Sequence, residues 1–245
     1  MALEQENKDL AQKVNDFLLA NRKPVLIILV CILLAVLASI TVYAVSAKMK
    51  QQAIADVERV IYDLEEFKTK YKAEDEKTDD KKADDSEKTA EVPEAIKAEE
   101  DKTIEKLLSF TAKRSTSYSA FRANTAIAEI YFQRKSYEDA LKYYELAAHS
   151  IESAYTAGLA YFNAAACADE LSNNEKALEL YEKASAIKDF PLVPRALFNA
   201  GRVYEALGQT EKAVNTYNKL LETYPKNDWA LLAKSRIIFL SKENE

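Results

Sequence analysis

Few side chains in this sequence are placed to do covalent or acid–base chemistry. His149 is the single histidine, and an imidazole can shuttle protons or ligate a metal. It has no second histidine or cysteine cluster to work with, and it falls near the end of a helical stretch, so a solvent-exposed structural role is expected. Cys31 sits inside an apolar run and Cys167 in a helical segment; two thiols are too few for a disulfide framework and these are not expected to meet. Aspartate and glutamate are plentiful, 40 in all, but they recur on faces that read as exposed helix and present no paired carboxylates for general acid–base work. With three glycines in 245 residues there is no loop to cradle a phosphate. The sequence therefore predicts no enzyme, no metal and no cofactor. What remains is recognition by a shaped surface, and the surface depends on the elements that build it.

Those elements are helices. Alanine, leucine, lysine and glutamate dominate, and scarce glycine and proline argue against sandwiches and barrels; the expected class is all-α. From Phe121 onward one pattern returns. "SYEDALKYYELAA" carries Ala140, Tyr144 and Ala147; "NNEKALELYEKAS" carries Ala177, Tyr181 and Ala184; "QTEKAVNTYNKLL" carries Ala213, Tyr217 and Leu220. The leading alanines are 37 and then 36 residues apart. This spacing, with Gly201, Tyr204, Gly208 and Pro225 in the third unit, resembles the tetratricopeptide repeat. Helix-turn-helix units over 121–154, 158–191 and 194–227 are expected to stack into an α-solenoid of about three repeats. A helix over 228–241, packing Trp229, Leu232 and Ile237, should cap it. The small residues would let paired helices approach, and the tyrosines would fill the gaps between hairpins.

The resemblance also implies where a partner would bind, since such repeats line a concave groove with recurring positions of each first helix. Here those positions hold Arg122, Thr125, Glu129, Phe132 and Gln133, then Phe162, Asn163, Ala166 and Asp169, then Arg195, Phe198, Asn199 and Arg202. Arg122, Phe162, Asn163, Arg195, Phe198, Asn199 and Arg202 are the candidate groove residues. Asn163 and Arg195 match places that some family members use to clamp a peptide carboxylate. Asn199 stands where a base would be wanted, and Thr125 and Glu129 replace the lysine and asparagine. A complete clamp is not expected; extended peptide or a partner's helix suits the walls better.

The groove is expected to be tethered. Val25–Val45 is 21 residues without a charge, roughly 31 Å as a helix and about the thickness of a bilayer's hydrocarbon core. It is longer than a signal peptide's apolar region. A tail over 1–24, a transmembrane helix over 25–47 and a helix emerging from the membrane over 48–72 are therefore expected. Before the span, Leu10, Val14, Phe17 and Leu18 recur at the spacing of an amphipathic turn. Arg22 and Lys23 before it and Lys48 and Lys50 after it nearly balance; a short tail ahead of a long domain favours a cytoplasmic N-terminus and an exported domain. The net charge of −6 concentrates in residues 73–101, where thirteen acids face five bases. That stretch reads as a disordered linker ahead of a repeat domain over 102–241. The remainder is near neutral, with no basic face for nucleic acid. The stripe Ile54–Tyr71 and "TIEKLLSFTAK" could form one further hairpin with the acidic stretch as its loop.

The order of parts, with Val14, Phe17, Asn21 and Lys23 before the span and "TSYSAFRANTAIAEIYF" entering the repeats, resembles the family of the ancillary subunit of the bacterial SecYEG translocon. That resemblance implies an inner-membrane protein with periplasmic repeats, whose partners are the translocon and periplasmic chaperones. Two other readings fit the same layout. One is a scaffold for cell-envelope assembly or division enzymes, and the other is an organelle import receptor with cytosolic repeats.

Overall fold

A computed structural model describes residues 2–79, 93–112, 115–151 and 155–243, which divide into two compact units, Met1–Gln52 and Ala53–Glu245. All regular structure among the described residues is helical. The first unit holds α1 (Ala2–Ala20) and the start of α2 (Arg22–Asp79). In it, the apolar side chains from Leu26 to Val45 are exposed. The transmembrane segment expected at 25–47 and the helix expected to emerge from it at 48–72 are one continuous helix, in keeping with the absence of glycine and proline between Val25 and Tyr71.

The second unit begins with the rest of α2 and continues through α3 (Glu94–Thr111), α4 (Tyr118–Gln133), α5 (Tyr137–Ser150), α6 (Tyr155–Glu170), α7 (Asn174–Ala186), α8 (Val193–Ala206), α9 (Thr210–Thr223) and α10 (Asp228–Glu243). Each helix packs on its sequence neighbours, so the core is a row of three clusters rather than one centre. One joins α2, α3 and α4 through Val57, Leu64, Ile104, Leu107 and Ile127. The longest runs from Phe121 to Val203 through α4 to α8, and the third joins α8, α9 and α10. Glu58 contacts Arg122 and Lys68 contacts Gln133, so α2 and α4 run in the same direction. The stripe Ile54–Tyr71 is thus the first helix of an additional hairpin, with α3 as its second.

The linker expected over 73–101 is correspondingly shorter. Helix α2 continues to Asp79 and α3 starts at Glu94 after Pro93; residues 80–92 lie outside the described residues. Composition marked this stretch as too charged to bury anything, yet Ile96 and Glu100 are buried. Glu100 is 1% exposed, corrects the expectation that the acids all lie on exposed faces, and is accommodated by two cations. Lys68 Nζ of α2 lies 2.9 Å from it, and Arg134 Nε, at the C-terminus of α4, donates to it at 2.8 Å.

The turns repeat as faithfully as the helices. Lys135, Ser172 and Gly208 all have positive φ, at 59°, 56° and 69°, and lie 37 and 36 residues apart. Each ends its helix in a Schellman motif: Lys135 N–H donates to Phe132 O and Ser136 N–H to Tyr131 O, with the same pairs at Ser172/Asn173 and Gly208/Gln209. A Cβ at Gly208 would meet nothing within 4 Å, so only conformation selects glycine there. The left-handed backbone costs a non-glycine residue about 1–2 kcal/mol, partly offset by glycine's freer unfolded chain at about 0.4–1 kcal/mol. Lys135→Gly and Ser172→Gly should therefore each stabilise the fold by about 0.5–1 kcal/mol, read from chemical denaturation. A loss of stability in either would contradict the turn geometry.

Candidate functional site

The groove candidates lie on the first helix of each hairpin, and the residues that gave the repeat away are buried. Gly201, Ala213 and Tyr217 are buried. A methyl group on Gly201 would come within 2.7 Å of Tyr217 Cζ, and one on Gly158 within 2.6 Å of Phe190 Cγ. Helix approach therefore consumes the consensus residues, and the surface falls to those between them.

Three polar stations recur behind the wall. Asn163, Asn199 and Arg236 stand 36 and 37 residues apart. Each stands beside the buried tyrosine of the preceding second helix, Tyr144, Tyr181 and Tyr217 respectively, and acts to lower its phenol against the effect of burial. Burial pushes all three phenols well above their usual range. Tyr181 also donates to Asp169 at 2.8 Å, and Tyr217 to Glu205 at 2.5 Å. Arg202 pairs with Asp169, and Arg236 with Glu205. A tyrosine, an acid and an arginine from three successive helices thus form one chain, repeated in two hairpins. On the flank, Tyr204 donates to Glu182 at 2.6 Å, and that bond, with burial, pushes its phenol up to about 12.

Of the seven groove candidates, Phe198 and Arg195 meet in one cluster. Arg195 is exposed, with its guanidinium 5.2 Å from the ring centre of Phe162 and 5.4 Å from that of Trp229. Phe198 is half-buried against Trp229 and Tyr217, with centroids 5.2 and 5.6 Å apart. Phe162 belongs to the core instead of the wall: it is 6% exposed and packs edge-on to Tyr181, because α7 and Phe190 close over it. Asn163 and Asn199 are half-buried. Arg202 is exposed but committed to Asp169.

Arg122 is separate from this cluster. Its Nε and Nη2 grip both carboxylate oxygens of Glu58 at 2.5 and 3.0 Å. That grip holds the Glu58 carboxyl below its usual range. Beside it, a cavity of about 40 Å³ is lined by Lys68, Thr103, Glu129 and Gln133 among others, and Thr125 Oγ1 is buried without a hydrogen-bond partner. Sequence reasoning missed Trp229, Glu205 and Arg236 as wall or staple residues. A further step of 37 from Asn199 reaches Arg236, so carrying the repeat register into α10 would have found it.

The two chemically distinct carboxyls titrate in opposite senses. Burial alone would raise Glu205, but hydrogen bonds from Arg236 and Tyr217 outweigh it and hold the carboxyl low. Its stabilisation is complete above the unfolded glutamate pKa and is lost as pH falls through the lower folded value. Glu129 is the reverse: desolvation by the surrounding helices raises it, against the attraction of Arg122. Its ionisation destabilises the fold at neutral pH, and the penalty disappears as the group protonates. Glu129→Gln should therefore raise the melting temperature at pH 7 and lose that advantage below pH about 4. Glu205→Gln should lower it at pH 7, with the deficit shrinking in acid. Parallel pH profiles for the two variants would refute the assignment. Cys167 is buried, which pushes its thiol up to about 12; His149 is exposed with Nδ1 2.7 Å from Glu145 O. Among the described residues no three His, Cys, Asp or Glu side chains converge in metal-binding geometry.

Comparison with known proteins places this architecture. Residues 195–227 and 105–155 match two models of the tetratricopeptide repeat. The chain is 45% identical over 148 residues to a TPR repeat-containing protein of Treponema pallidum (strain Nichols), an overlap of 60% of this chain and 62% of that one. It is 32% identical over 103 residues to a TPR repeat-containing protein of Methanocaldococcus jannaschii, 39% of this chain and 30% of the other. It thus spans less than two thirds of the length of these relatives. A solved structure of nearly identical TPR-like repeats from Podosopora anserina superposes with a TM-score of 0.47 at 17% identity, over 60% of this chain and 80% of that one. The chain carries tetratricopeptide repeats.

Proposed function

We propose that this chain is a membrane-anchored binding module: residues 25–47 cross the inner membrane, the N-terminus is cytoplasmic, and the repeat unit is exported. There it acts as a chaperone-like or scaffold factor for exported proteins at the translocon or elsewhere in the envelope. The observation that carries the reading is the first part of α2. Its most apolar 18-residue window has a mean hydropathy of 3.2 and is 0% buried. A soluble core helix of that composition would be covered by protein, and lipid is the environment that suits twenty successive exposed residues, Leu26 to Val45, that are mostly aliphatic and carry no charge. The groove supports the second half. Aromatic and guanidinium surface at Arg195, Phe198 and Trp229, beside half-buried amides, suits an extended segment or helix of a partner.

Two measurements test this. Protease added to intact spheroplasts should digest the repeat unit; protection would put the repeats in the cytosol and return the import-receptor reading. Crosslinking in cells followed by partner identification should then recover translocon subunits or periplasmic chaperones. Recovery of cell-wall enzymes alone would replace the translocon with envelope scaffolding.

A further inference from the structure

Helix α10 has two apolar faces. Ala230, Ala233 and Leu240 are buried, with Ile237 packed beside them, against α8 and α9. On the opposite side Leu231, Leu232, Ile238 and Phe239 are 62%, 48%, 49% and 48% exposed; Leu232, expected to pack in the cap, lies on this outer face. At 100° per residue, Asp228, Leu231, Leu232, Ser235, Ile238, Phe239 and Lys242 form one stripe about 120° wide. A step of 37 residues from α8 places Leu231 and Ile238 where Pro194 and Gly201 stand. Those two are buried, Gly201 directly beneath Tyr217 of α9. In α10 the same positions are bare among the described residues, although they carry larger apolar side chains.

The stripe is symmetric about Ser235. Leu232 and Ile238 lie three residues to either side, Leu231 and Phe239 four, and Asp228 and Lys242 seven. We propose that α10 pairs antiparallel with α10 of a second copy of this chain, about a two-fold axis through Ser235. In that arrangement Leu231 packs on Phe239 and Leu232 on Ile238 of the facing helix. Asp228 meets Lys242 at both ends, and the small serine lets the helices approach at the centre. An interface in which each patch faces itself is the usual form of a homodimer. The charge complement favours the antiparallel order, since a parallel pair would set Asp228 against Asp228 and Lys242 against Lys242. Four apolar side chains per copy make a small interface, so the dimer is reversible, with a Kd on the order of micromolar.

The pairing involves residues 228–242 alone, so its test stands apart from that of the anchor. The full chain is purified in mild detergent with Cys31→Ala, leaving buried Cys167 as the only native thiol. Ser235→Cys, on the axis, should form a disulfide-linked dimer under mild oxidation at least about tenfold faster than Lys219→Cys, an exposed position on α9. Adding Ile238→Lys should abolish that advantage while leaving the circular-dichroism melt unchanged, because the side chain is exposed. Equal rates at the two cysteines, or a rate at position 235 that Ile238→Lys leaves unaltered, would overturn the pairing.

Discussion

Tyr217→Ala should lower the unfolding free energy of the C-terminal hairpin by about 3–5 kcal/mol, the usual cost of truncating a fully buried aromatic residue. The side chain is 0% exposed and fills the space that Gly201 leaves open. Its removal opens a cavity between α8 and α9 that helix backbones cannot collapse to fill. It also removes a hydrogen bond to Glu205, though Arg236 continues to pair with that carboxylate. Tyr217→Phe isolates this second part and should cost about 1 kcal/mol. Because each hairpin packs only on its neighbours, the damage is local. Hydrogen exchange should accelerate across residues 193–243 while 94–133 keep their protection. A uniform loss across the unit would show that the row of clusters behaves as one core.

Glu100→Ala should be comparably severe at the other end, about 3–5 kcal/mol. The carboxylate is buried between Lys68 and Arg134, whose side chains are only 13% and 12% exposed. Deleting it strands two cations in a poorly solvated site. Arg134 retains Asp101 at 2.6 Å and the Lys97 carbonyl at 2.8 Å; Lys68 keeps Gln133 at 3.2 Å and a longer contact to Glu65. This remainder places the expected loss nearer the lower bound. The triad joins α2, α3 and α4, so the loss should appear as release of the first hairpin from the second. Glu100→Gln preserves shape and hydrogen bonding and should be milder. If Glu100→Ala melted like the parent, the carboxylate would have no part in holding the hairpins together.

How much of this was legible follows from how far apart the interacting residues are. Gly201, Ala213 and Tyr217 could be read because their contact lies within one hairpin and the spacing recurs in each unit. Glu100 could not. Its partners lie 32 residues before and 34 after it, and charge density alone marks such a stretch as solvated. Arg122 was correctly placed on the first helix of its repeat, but its engagement by Glu58 depended on recognising α2 as part of the stack. The consensus pattern is absent there: α2 carries a plain apolar stripe, and residues 80–92 separate it from α3. Phe162 occupies a groove position by number, yet Tyr181 and Phe190 draw its ring inward. A register gives the direction of a Cβ; which of two competing surfaces a large ring joins is decided by neighbours it does not encode. The outer face of α10 was half legible, since Ile237 packs inward as expected and Leu232 points the other way.

The central claim is that a protein partner is held by the concave wall at its aromatic and arginine station. A photoreactive residue placed at Arg195, compared with one at Glu222 on an exposed face of α9, tests it in intact cells. Crosslinked adducts to another protein should arise from position 195 and be absent from position 222. Adducts of equal yield from both positions, or from position 222 alone, would contradict the groove as the binding surface.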